Sequence, residues 1–412
     1  MKKILIISTT FFPDKTVGAI RISQWARHLP EFGWKPTILC RYYGESAQKE
    51  TIARELNEHV EINYLDKPRN PTNTKRSTGV LKKLKKSALE RAAELVSVPD
   101  VSVWSWRKLQ NQIDSYVESL APHAVLTSSP RHSIHTAGLS ITSQFGTPWV
   151  ADFRDPFLCD IRYRAPAYNL PLRAKLNRYE TRVVNQSTAC TLAIKNHYNW
   201  LLKKYPDKSA KLNWIPNGFP IEMLGQDKAL KQNGTLKIVT AGIISNEGVT
   251  FASGLIKELI SHGIDAQFFH FGDRPNSTIE LSEEVAKRVH FFGRVPHQEA
   301  VQQVADADFL LAINSDKRST YQGLSSKLFE YLATGTPIMV IRPTKPDAEF
   351  LSSLPWVICQ ASPNFMEAAA FIKNCIENEI TASPEWLTRY HKDFNRRTQT
   401  QQIASILDEI SA

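Results

Sequence analysis

Residues 322–337 have the sequence QGLSSKLFEYLATGTP. This stretch follows an apolar segment of strand length and ends at Gly335, which is placed to stop a helix before the next strand. The helix is expected to begin at Ser325 or Ser326, where backbone N–H groups without helical partners can bind an anion. Gly323 lets the backbone approach such a ligand closely.

Two side chains on this predicted helix have the chemistry of a nucleotide site. Lys327 places a cation at the helix start, where the helix dipole disfavours it, and this indicates that an anion binds there. Glu330 lies one turn further along the same face, and its carboxylate can accept hydrogen bonds from vicinal hydroxyls such as those of a ribose. The alternative is a surface Lys–Glu pair on an ordinary helix.

The sequence on both sides alternates short apolar strands with helical patterns, which is typical of parallel sheets built from α/β units. In the first half, strands are predicted at 3–8, 36–40, 61–65, 124–128, 149–153, 188–193 and 212–215. In the second half, they are predicted at 237–241, 266–271, 289–292, 308–314, 337–341 and 357–360. We therefore expect an α/β fold of two doubly wound Rossmann-like domains that meet near Pro216 and bind ligands in the cleft between them.

Length and composition exclude several classes of protein. The 412 residues, 42% of them hydrophobic, fit two cores of roughly 200 residues each. No apolar run approaches the ~18 residues that cross a bilayer. No Gly-x-Gly-x-x-Gly follows the first strand and no Gly-x-x-x-x-Gly-Lys-Ser/Thr occurs, which argues against dinucleotide-dependent oxidoreductases and P-loop nucleotidases. The five cysteines are scattered and have no metal-ligand spacing, so we expect them to be reduced in a cytosolic protein.

The chain is basic, with a formal net charge of +10. Charge alone does not choose among nucleic acid, anionic lipid and phosphorylated small molecules, but its distribution favours the last two. Residues 75–86 contain no acid and hold six cations among apolar residues at helical spacing: Lys75, Arg76, Lys82, Lys83, Lys85 and Lys86. This pattern is typical of an amphipathic helix on an anionic membrane surface, and the alternative is a solvated helix face packed on the protein. We expect no nucleic-acid partner.

Residues 322–337 resemble the retaining GT-B enzymes of glycosyltransferase family 4. Members carry two Glu eight positions apart, followed by an apolar helix and a Gly-x-Pro turn. Glu330 matches the second Glu, which implies that it holds the nucleotide ribose, while Gln322 stands at the first acidic position, facing the donor sugar. The resemblance also implies that the diphosphate is held by the backbone amides of Gly323, Leu324, Ser325 and Ser326.

The resemblance extends over nearly the whole chain. The segment with Gly18 and Arg21 is similar to the family's glycine-containing first loop, which faces the donor phosphates. Arg294 and Val295 lie in a segment similar to the loop whose backbone reads the base. The closing helix, from residue 386, resembles the segment that crosses back onto the first domain.

One part of the family pattern is missing. After the strand at 237–241 the family usually offers an Arg and a Lys that clamp the diphosphate, whereas residues 242–248, beginning at Gly242, contain no cation. We therefore expect Lys327, helped by Arg21 and the helix N-terminus, to carry the electrostatic load.

Three ionisable residues leave the strand at 149–153, where packing residues would be unusual: Asp152, Arg154 and Asp155. Arg154 remains protonated at neutral pH and is expected to hold the departing diphosphate or an acidic acceptor. Asp152 or Asp155 is expected to contact hydroxyls of the sugar or acceptor. The alternative is an internal Arg–Asp pair that fixes the loop.

Residues 128–135, SSPRHSIH, also lead from a strand end into a helix. Ser129 or Ser128 is placed to cap that helix, and His132 is placed to face the cleft. Ser129 and His132 are candidates for the acceptor site. The alternative for His132 is a satisfied structural histidine.

These features predict a cytoplasmic glycosyltransferase, hexosyltransferase-like, that needs neither a metal nor a further cofactor. Residues 1–215 would bind the acceptor, 216–385 the UDP- or GDP-linked sugar, and 386–412 would pack back on the first domain. The acceptor would be a glycan or a polyprenyl-linked molecule, in bacterial surface polysaccharide synthesis at the inner membrane face. Catalysis would rest on placed positive charge from Lys327 and Arg154. The alternatives are a GT-B-type sugar-nucleotide epimerase and a non-catalytic subunit of a glycan-assembly complex.

Overall fold

A computed structural model describes residues 1–11, 17–41, 59–65, 97–160, 170–223, 234–273, 281–314 and 323–412. The predicted basic helix at 75–86 and Gln322 lie outside these residues. The strands are Lys2–Ser8 (β1), Trp34–Cys40 (β2), Glu61–Tyr64 (β3), Ala124–Ser128 (β4), Trp149–Phe153 (β5), Ala189–Leu192 (β6), Leu212–Trp214 (β7), Leu236–Ala241 (β8), Ala266–Phe271 (β9), Val289–Gly293 (β10), Phe309–Ile313 (β11), Ile338–Ile341 (β12) and Val357–Gln360 (β13).

The α-helices of the described residues are Val17–His28 (α1), Val103–Leu120 (α2), His135–Phe145 (α3), Leu170–Gln186 (α4), Lys195–Lys204 (α5), Asn246–Ser261 (α6), Glu283–Ala286 (α7), His297–Ala305 (α8), Ser326–Thr334 (α9), Lys345–Leu351 (α10), Phe365–Glu377 (α11), Pro384–Phe394 (α12) and Arg396–Ile410 (α13). Short 3-10 helices lie at Leu29–Phe32, His132–Ile134, Pro206–Lys211 and Ile221–Met223. Every predicted strand is present near its expected position, so the predicted α/β class is confirmed.

The chain forms two compact units, residues Met1–Pro216 with Arg397–Ala412 and residues Asn217–Arg396. In the first unit the strand order is β3-β2-β1-β4-β5-β6-β7, and in the second it is β10-β9-β8-β11-β12-β13. Every pair of neighbouring strands is parallel. The order reverses between β1 and β4 in the first sheet and between β8 and β11 in the second, and ligands bind beside such reversals in open α/β sheets.

The end of the chain joins the first unit later than expected. From residue 386 the chain was predicted to pack on the first domain, whereas α12 packs in the second unit. There Trp386 meets Trp356 with ring centroids 4.9 Å apart, and Tyr390 stacks on Phe219 at 5.7 Å. The aromatic face of α12 explains this placement, because these contacts bury it. Only α13 joins the first core.

Three features of the described residues concern membrane spans, disulfides and metal sites. No helix in the described ranges is long and apolar enough to span a membrane. All five cysteines fall within the described residues and none forms a disulfide. Within the same ranges, no group of three or more His, Cys, Asp or Glu side chains could hold a metal ion.

A buried hydrogen-bond chain links the end of β4, the start of β5 and α3. Trp149 is fully buried, and its Nε1 donates to Thr127 Oγ1 over 2.8 Å. The same hydroxyl lies 2.8 Å from Nδ1 of His135. Burial lowers the pKa of His135 well below its usual value, so the ring is neutral at pH 7. Gly138 on α3 gives the Trp149 ring its space, because a Cβ there would lie 2.0 Å from Cε2.

We expect Gly138→Ala to lower the free energy of unfolding by about 1–3 kcal/mol through overpacking against Trp149. Gly254→Ala is the matched control, because Gly254 is also inside a helix but faces the flexible, 41% exposed Phe365. The helix propensity of alanine should make that control neutral or stabilising. Thermal unfolding of both variants checks the pair, and equal melting temperatures would contradict the packing role of Gly138.

Candidate functional site

The N-terminus of α9 lies beside the order reversal of the second sheet. No described residue accepts a hydrogen bond from the backbone N–H groups of Leu324, Ser325 or Ser326. Tyr331, one turn into α9, is fully buried and its hydroxyl accepts from Ala241 N at the end of β8 over 2.7 Å. Burial raises the pKa of this tyrosine to about 12, so it is neutral. The contact places three unbonded donors next to the crevice between β8 and β11.

The predicted donor residues at the start of α9 lie together. Gly323, Leu324 and Ser325 precede the helix, and Lys327, partly buried, is in its first turn. Ser325 Oγ is buried and has no hydrogen-bond partner among the described residues. A short run of free backbone donors beside a cation and a hydroxyl can bind a phosphate group.

Glu330 is nearly buried in an electropositive environment. Its Oε1 accepts from Nη2 of Arg396 over 2.9 Å and lies 3.6 Å from Nε2 of His297. No described residue hydrogen-bonds the other oxygen, Oε2. His297 begins α8 directly after the loop predicted to read the base, so the structure brings that loop and Glu330 together. A carboxylate held by one oxygen can offer the other to a pair of hydroxyls.

The side chain of Arg294 is occupied by an exposed ion pair. Its Nε donates to Asp273 Oδ1 over 2.7 Å and its Nη2 to Oδ2 over 2.5 Å. The hydrogen bonds from Arg294 lower the pKa of Asp273. Arg294 can still contribute to a ligand site through its backbone, as can Val295 beside it.

Gly242 lies at the end of β8, where two chain segments nearly touch. Its φ of +95° is in the left-handed region that favours glycine. The N–H of Gly242 donates to Phe271 O, and its carbonyl lies 2.8 Å from Nε2 of His270. A Cβ on Gly272 would lie 2.0 Å from that carbonyl oxygen. The loop after β8 is therefore held against the end of β9.

In the first unit, Asp152 is at the centre of a buried hydrogen-bond network. Its carboxylate accepts from Arg21 Nε at 3.3 Å and Nη2 at 3.0 Å, from Ser128 Oγ at 2.7 Å and from Thr191 Oγ1 at 2.7 Å. Arg21 also donates from Nη1 to Pro216 O over 3.0 Å. The side chains of Arg21 and Asp152 are 3% and 0% exposed. These contacts favour an internal ion pair that positions α1 and three strands over direct contact with a donor or acceptor.

Arg154 differs from Arg21 in having little compensation for its charge. Its backbone N–H donates to Ser129 Oγ over 3.2 Å, and Ser129 N donates to Asp152 O over 3.0 Å, which fixes the loop after β5. The guanidinium is 12% exposed, and among the described residues it makes one long contact, 3.5 Å to Asp155, which is 41% exposed. Burial lowers the pKa of Arg154, while the carboxylates of Asp155 and Asp152 oppose that shift. Such a cation can bind an anionic group.

His132 is buried in an aromatic cluster. Its ring centroid lies 4.3 Å from that of Phe157, and its carbonyl accepts from Tyr179 Oη over 2.8 Å. This packing favours the structural alternative for His132. Of the other predicted residues, Gly18 lies in α1.

Sequence reasoning missed two arginines that directly follow strands or their loops. Arg131, exposed, has φ 66° and ψ 94° in the loop after β4, and Arg342 follows β12 with φ 55°. Residues without a glycine's freedom seldom adopt such angles, and those that do cluster at functional sites. The signal that could have found both is the one used for Arg154, an ionisable residue just beyond a buried strand.

The chain has the GT-B fold. It superimposes over 99% of its length, and 98% of the other chain, on a glycosyltransferase from Rickettsia africae with a TM-score of 0.57 and 12% identity. It also superimposes on the UDP-GlcNAc 2-epimerase from Neisseria meningitidis bound to UDP-GlcNAc, with a TM-score of 0.56 and 13% identity. That match covers 99% of this chain and 100% of the epimerase chain.

A third solved structure, Phytolacca americana UGT2 with UDP-2fluoro-glucose and pterostilbene, matches 99% of this chain and all of its own, at a TM-score of 0.53 and 13% identity. No protein-family model matches the chain, and neither does any curated protein.

We expect Asp152→Asn to lower the free energy of unfolding by about 3–5 kcal/mol, because it removes the fully buried carboxylate that pairs with the buried guanidinium of Arg21. Asp207→Asn, in the same unit, is the matched control and should cost less than about 1 kcal/mol, because that exposed carboxylate pairs with the exposed Lys208. Denaturant unfolding, followed separately in each unit, measures the loss of unfolding free energy in both variants. Equal losses would show that the Arg21–Asp152 pair does not hold the first unit together.

Proposed function

We propose that this chain is a retaining glycosyltransferase that moves a sugar from a nucleoside-diphosphate sugar to a hydroxyl group. The observation that carries the proposal is the set of backbone donors at residues 324–326 that no described residue accepts, beside Lys327 and one turn from Glu330. A diphosphate on those donors would be neutralised by Lys327 and the helix dipole. A ribose would then hydrogen-bond Oε2 of Glu330. The UDP sugars held by two structures of the same fold support a nucleotide sugar as the ligand.

The chemistry of transfer requires positive charge more than a side-chain base. The bond between the sugar C1 and the diphosphate oxygen breaks while the acceptor oxygen bonds C1 on the same face. The acceptor proton goes to an oxygen of the leaving diphosphate. Placed donors and cations stabilise the charge that develops on that group, which is the role proposed for Lys327 and the amides. No step in this scheme requires a metal ion or further cofactor.

The first unit supplies the acceptor site in this proposal. Arg154, with its single long contact to Asp155, would bind an acidic group of a glycan or polyprenyl-linked acceptor. Asp155, partly exposed, would accept a hydrogen bond from an acceptor hydroxyl. Ser129 and Asp152 would act by fixing the loop that carries both. The buried packing of His132 gives it the same supporting role.

A panel of UDP-, GDP- and ADP-sugars tests the proposed function by thermal unfolding. A ligand at ~100 times its Kd adds about 2.7 kcal/mol to the stability of the folded state, which is a readable shift. At least one donor should raise the melting temperature. If none does, the non-catalytic alternative is favoured. If a binding donor incubated alone yields a new sugar nucleotide, the chain is an epimerase.

Lys327→Gln should weaken binding of the donor found in that panel. Loss of a charge-assisted contact to a phosphate costs about 1.5–3 kcal/mol, or about 10–100-fold in Kd. Lys373→Gln is the control, because Lys373 is an exposed cation of the same unit on α11. Isothermal titration calorimetry compares the three proteins, and an unchanged Kd for Lys327→Gln would remove Lys327 from the donor site.

The basic segment at 75–86 motivates a cytoplasmic protein that contacts the inner membrane surface, where a polyprenyl-linked acceptor would lie. We expect the chain to float with vesicles containing phosphatidylglycerol and to be released by salt. Replacing Lys82, Lys83, Lys85 and Lys86 by Gln should abolish flotation. Replacing exposed lysines elsewhere, Lys175, Lys203, Lys287 and Lys373, should preserve it at the same net charge. Equal behaviour of the two variants, or no flotation at moderate salt, would contradict the membrane contact.

A further inference from the structure

The loop after β8 contains no cation, yet a guanidinium reaches it from another strand. Arg342 follows β12, and its Nη1 and Nη2 donate to the two carboxylate oxygens of Glu247 in the first turn of α6. Since β11 lies between β8 and β12 in the sheet, this ion pair crosses the end of β11. It therefore lies at the carboxyl edge beside the order reversal, where the fold places its ligands.

The backbone of Arg342 is held in place on both sides. Its N–H donates to Gln360 O over 2.7 Å, and its carbonyl accepts from Nδ2 of Asn314 over 3.1 Å. These bonds join the ends of β11, β12 and β13 and maintain φ at 55°, a left-handed angle that disfavours arginine. The backbone position of Arg342 is thus determined by three strand ends and does not depend on the loop after β8.

The carboxylate of Glu247 has the features of a replaceable anion. It binds the guanidinium through both oxygens, the geometry that a phosphate also adopts with arginine. The side chains of Arg342 and Glu247 are 23% and 45% exposed, so a solute can reach the pair. The hydrogen bonds from Arg342 lower the pKa of Glu247, and the carboxylate is ionised at neutral pH. Because both side chains are partly exposed, the pair is worth less than a buried one, and an anionic solute can compete with Glu247 for the guanidinium.

We propose that Arg342 is the cation that binds the diphosphate of the donor in place of the missing clamp, and that Glu247 occupies its guanidinium until the nucleotide displaces it. This inference rests on the proposed function, because it assigns a further residue to the same donor site. Arg342 and Lys327 come from different elements. Arg342 follows β12 and reaches the start of α6, whereas Lys327 is in the first turn of α9.

The competing explanation is a structural ion pair that ties α6 to β12. The two explanations differ in the sign of one effect. Arg342→Gln and Glu247→Gln break the same pair, so a structural role predicts that both weaken nucleotide binding or that neither changes it. Displacement of Glu247 by the nucleotide predicts opposite effects, because one variant removes the binding group and the other removes its competitor.

Isothermal titration of UDP and GDP into the full chain tests the proposal. Arg342→Gln should weaken the Kd of the nucleotide that binds by about 10–100-fold. Glu247→Gln should tighten it about two- to fivefold, the worth of an exposed ion pair. In the double variant the gain from Glu247→Gln should vanish. Glu283→Gln, which breaks the exposed pair of Glu283 with Lys287, is the matched control and should leave Kd unchanged.

The outcomes separate the two levels of inference. If the unaltered chain binds neither nucleotide and no sugar nucleotide of the thermal panel, the proposed function and the role of Arg342 are both overturned. If it binds one, the role of Arg342 alone is overturned by either of two results. The first is that Arg342→Gln and Glu247→Gln change Kd in the same direction, and the second is that either variant leaves Kd unchanged. Melting temperatures within the range of the Glu283→Gln control show that each variant is folded.

Discussion

The parallel pairing of every strand determines where chemistry can occur in this chain. Parallel strands end at one edge of their sheet, so the loops that follow them are neighbours there even when they are far apart in sequence. In the second unit, the helices after β8 and β11 pack on opposite faces, α6 in one hydrophobic core and α9 in the other. The start of α9 with Lys327, and the start of α6 with the Arg342–Glu247 pair, both lie at this edge of the sheet.

Two ion pairs that the sequence did not reveal, Arg21–Asp152 and Arg342–Glu247, differ in burial. That difference gives them different physical roles. The pair of Arg21 and Asp152 is removed from water, and breaking it would leave a bare charge in the protein interior, so its partners are fixed. The pair of Arg342 and Glu247 remains accessible to water, and each ion can be solvated when its partner leaves. Burial therefore distinguishes the structural pair from the one proposed to exchange, at equivalent edges of the two sheets.

The strands and the residues near them could be predicted from the sequence, because buried parallel strands are apolar runs and ionisable residues beyond them are conspicuous. The contacts could not be predicted. Arg342 and Glu247 are 95 residues apart, and Arg21 and Asp152 are 131 apart, so these pairs follow from the strand order. The sequence also could not show that α12 belongs to the second unit and only α13 to the first. The aromatic pattern of α12 would suit either core, so tertiary packing decides between them.

Loss of the usual cations after β8 need not remove positive charge from the donor site. Electrostatic stabilisation depends on where a charge lies and how well it is fixed, whichever strand supplies it. The end of β12 is well suited to supply it, because Arg342 is hydrogen-bonded to the ends of both neighbouring strands. An arginine at a left-handed φ costs about 1–3 kcal/mol of strain that glycine would avoid, so the proposed use of its side chain would explain why this position is not glycine. In the proposal, Lys327 after β11 and Arg342 after β12 supply the two cations that the loop after β8 lacks.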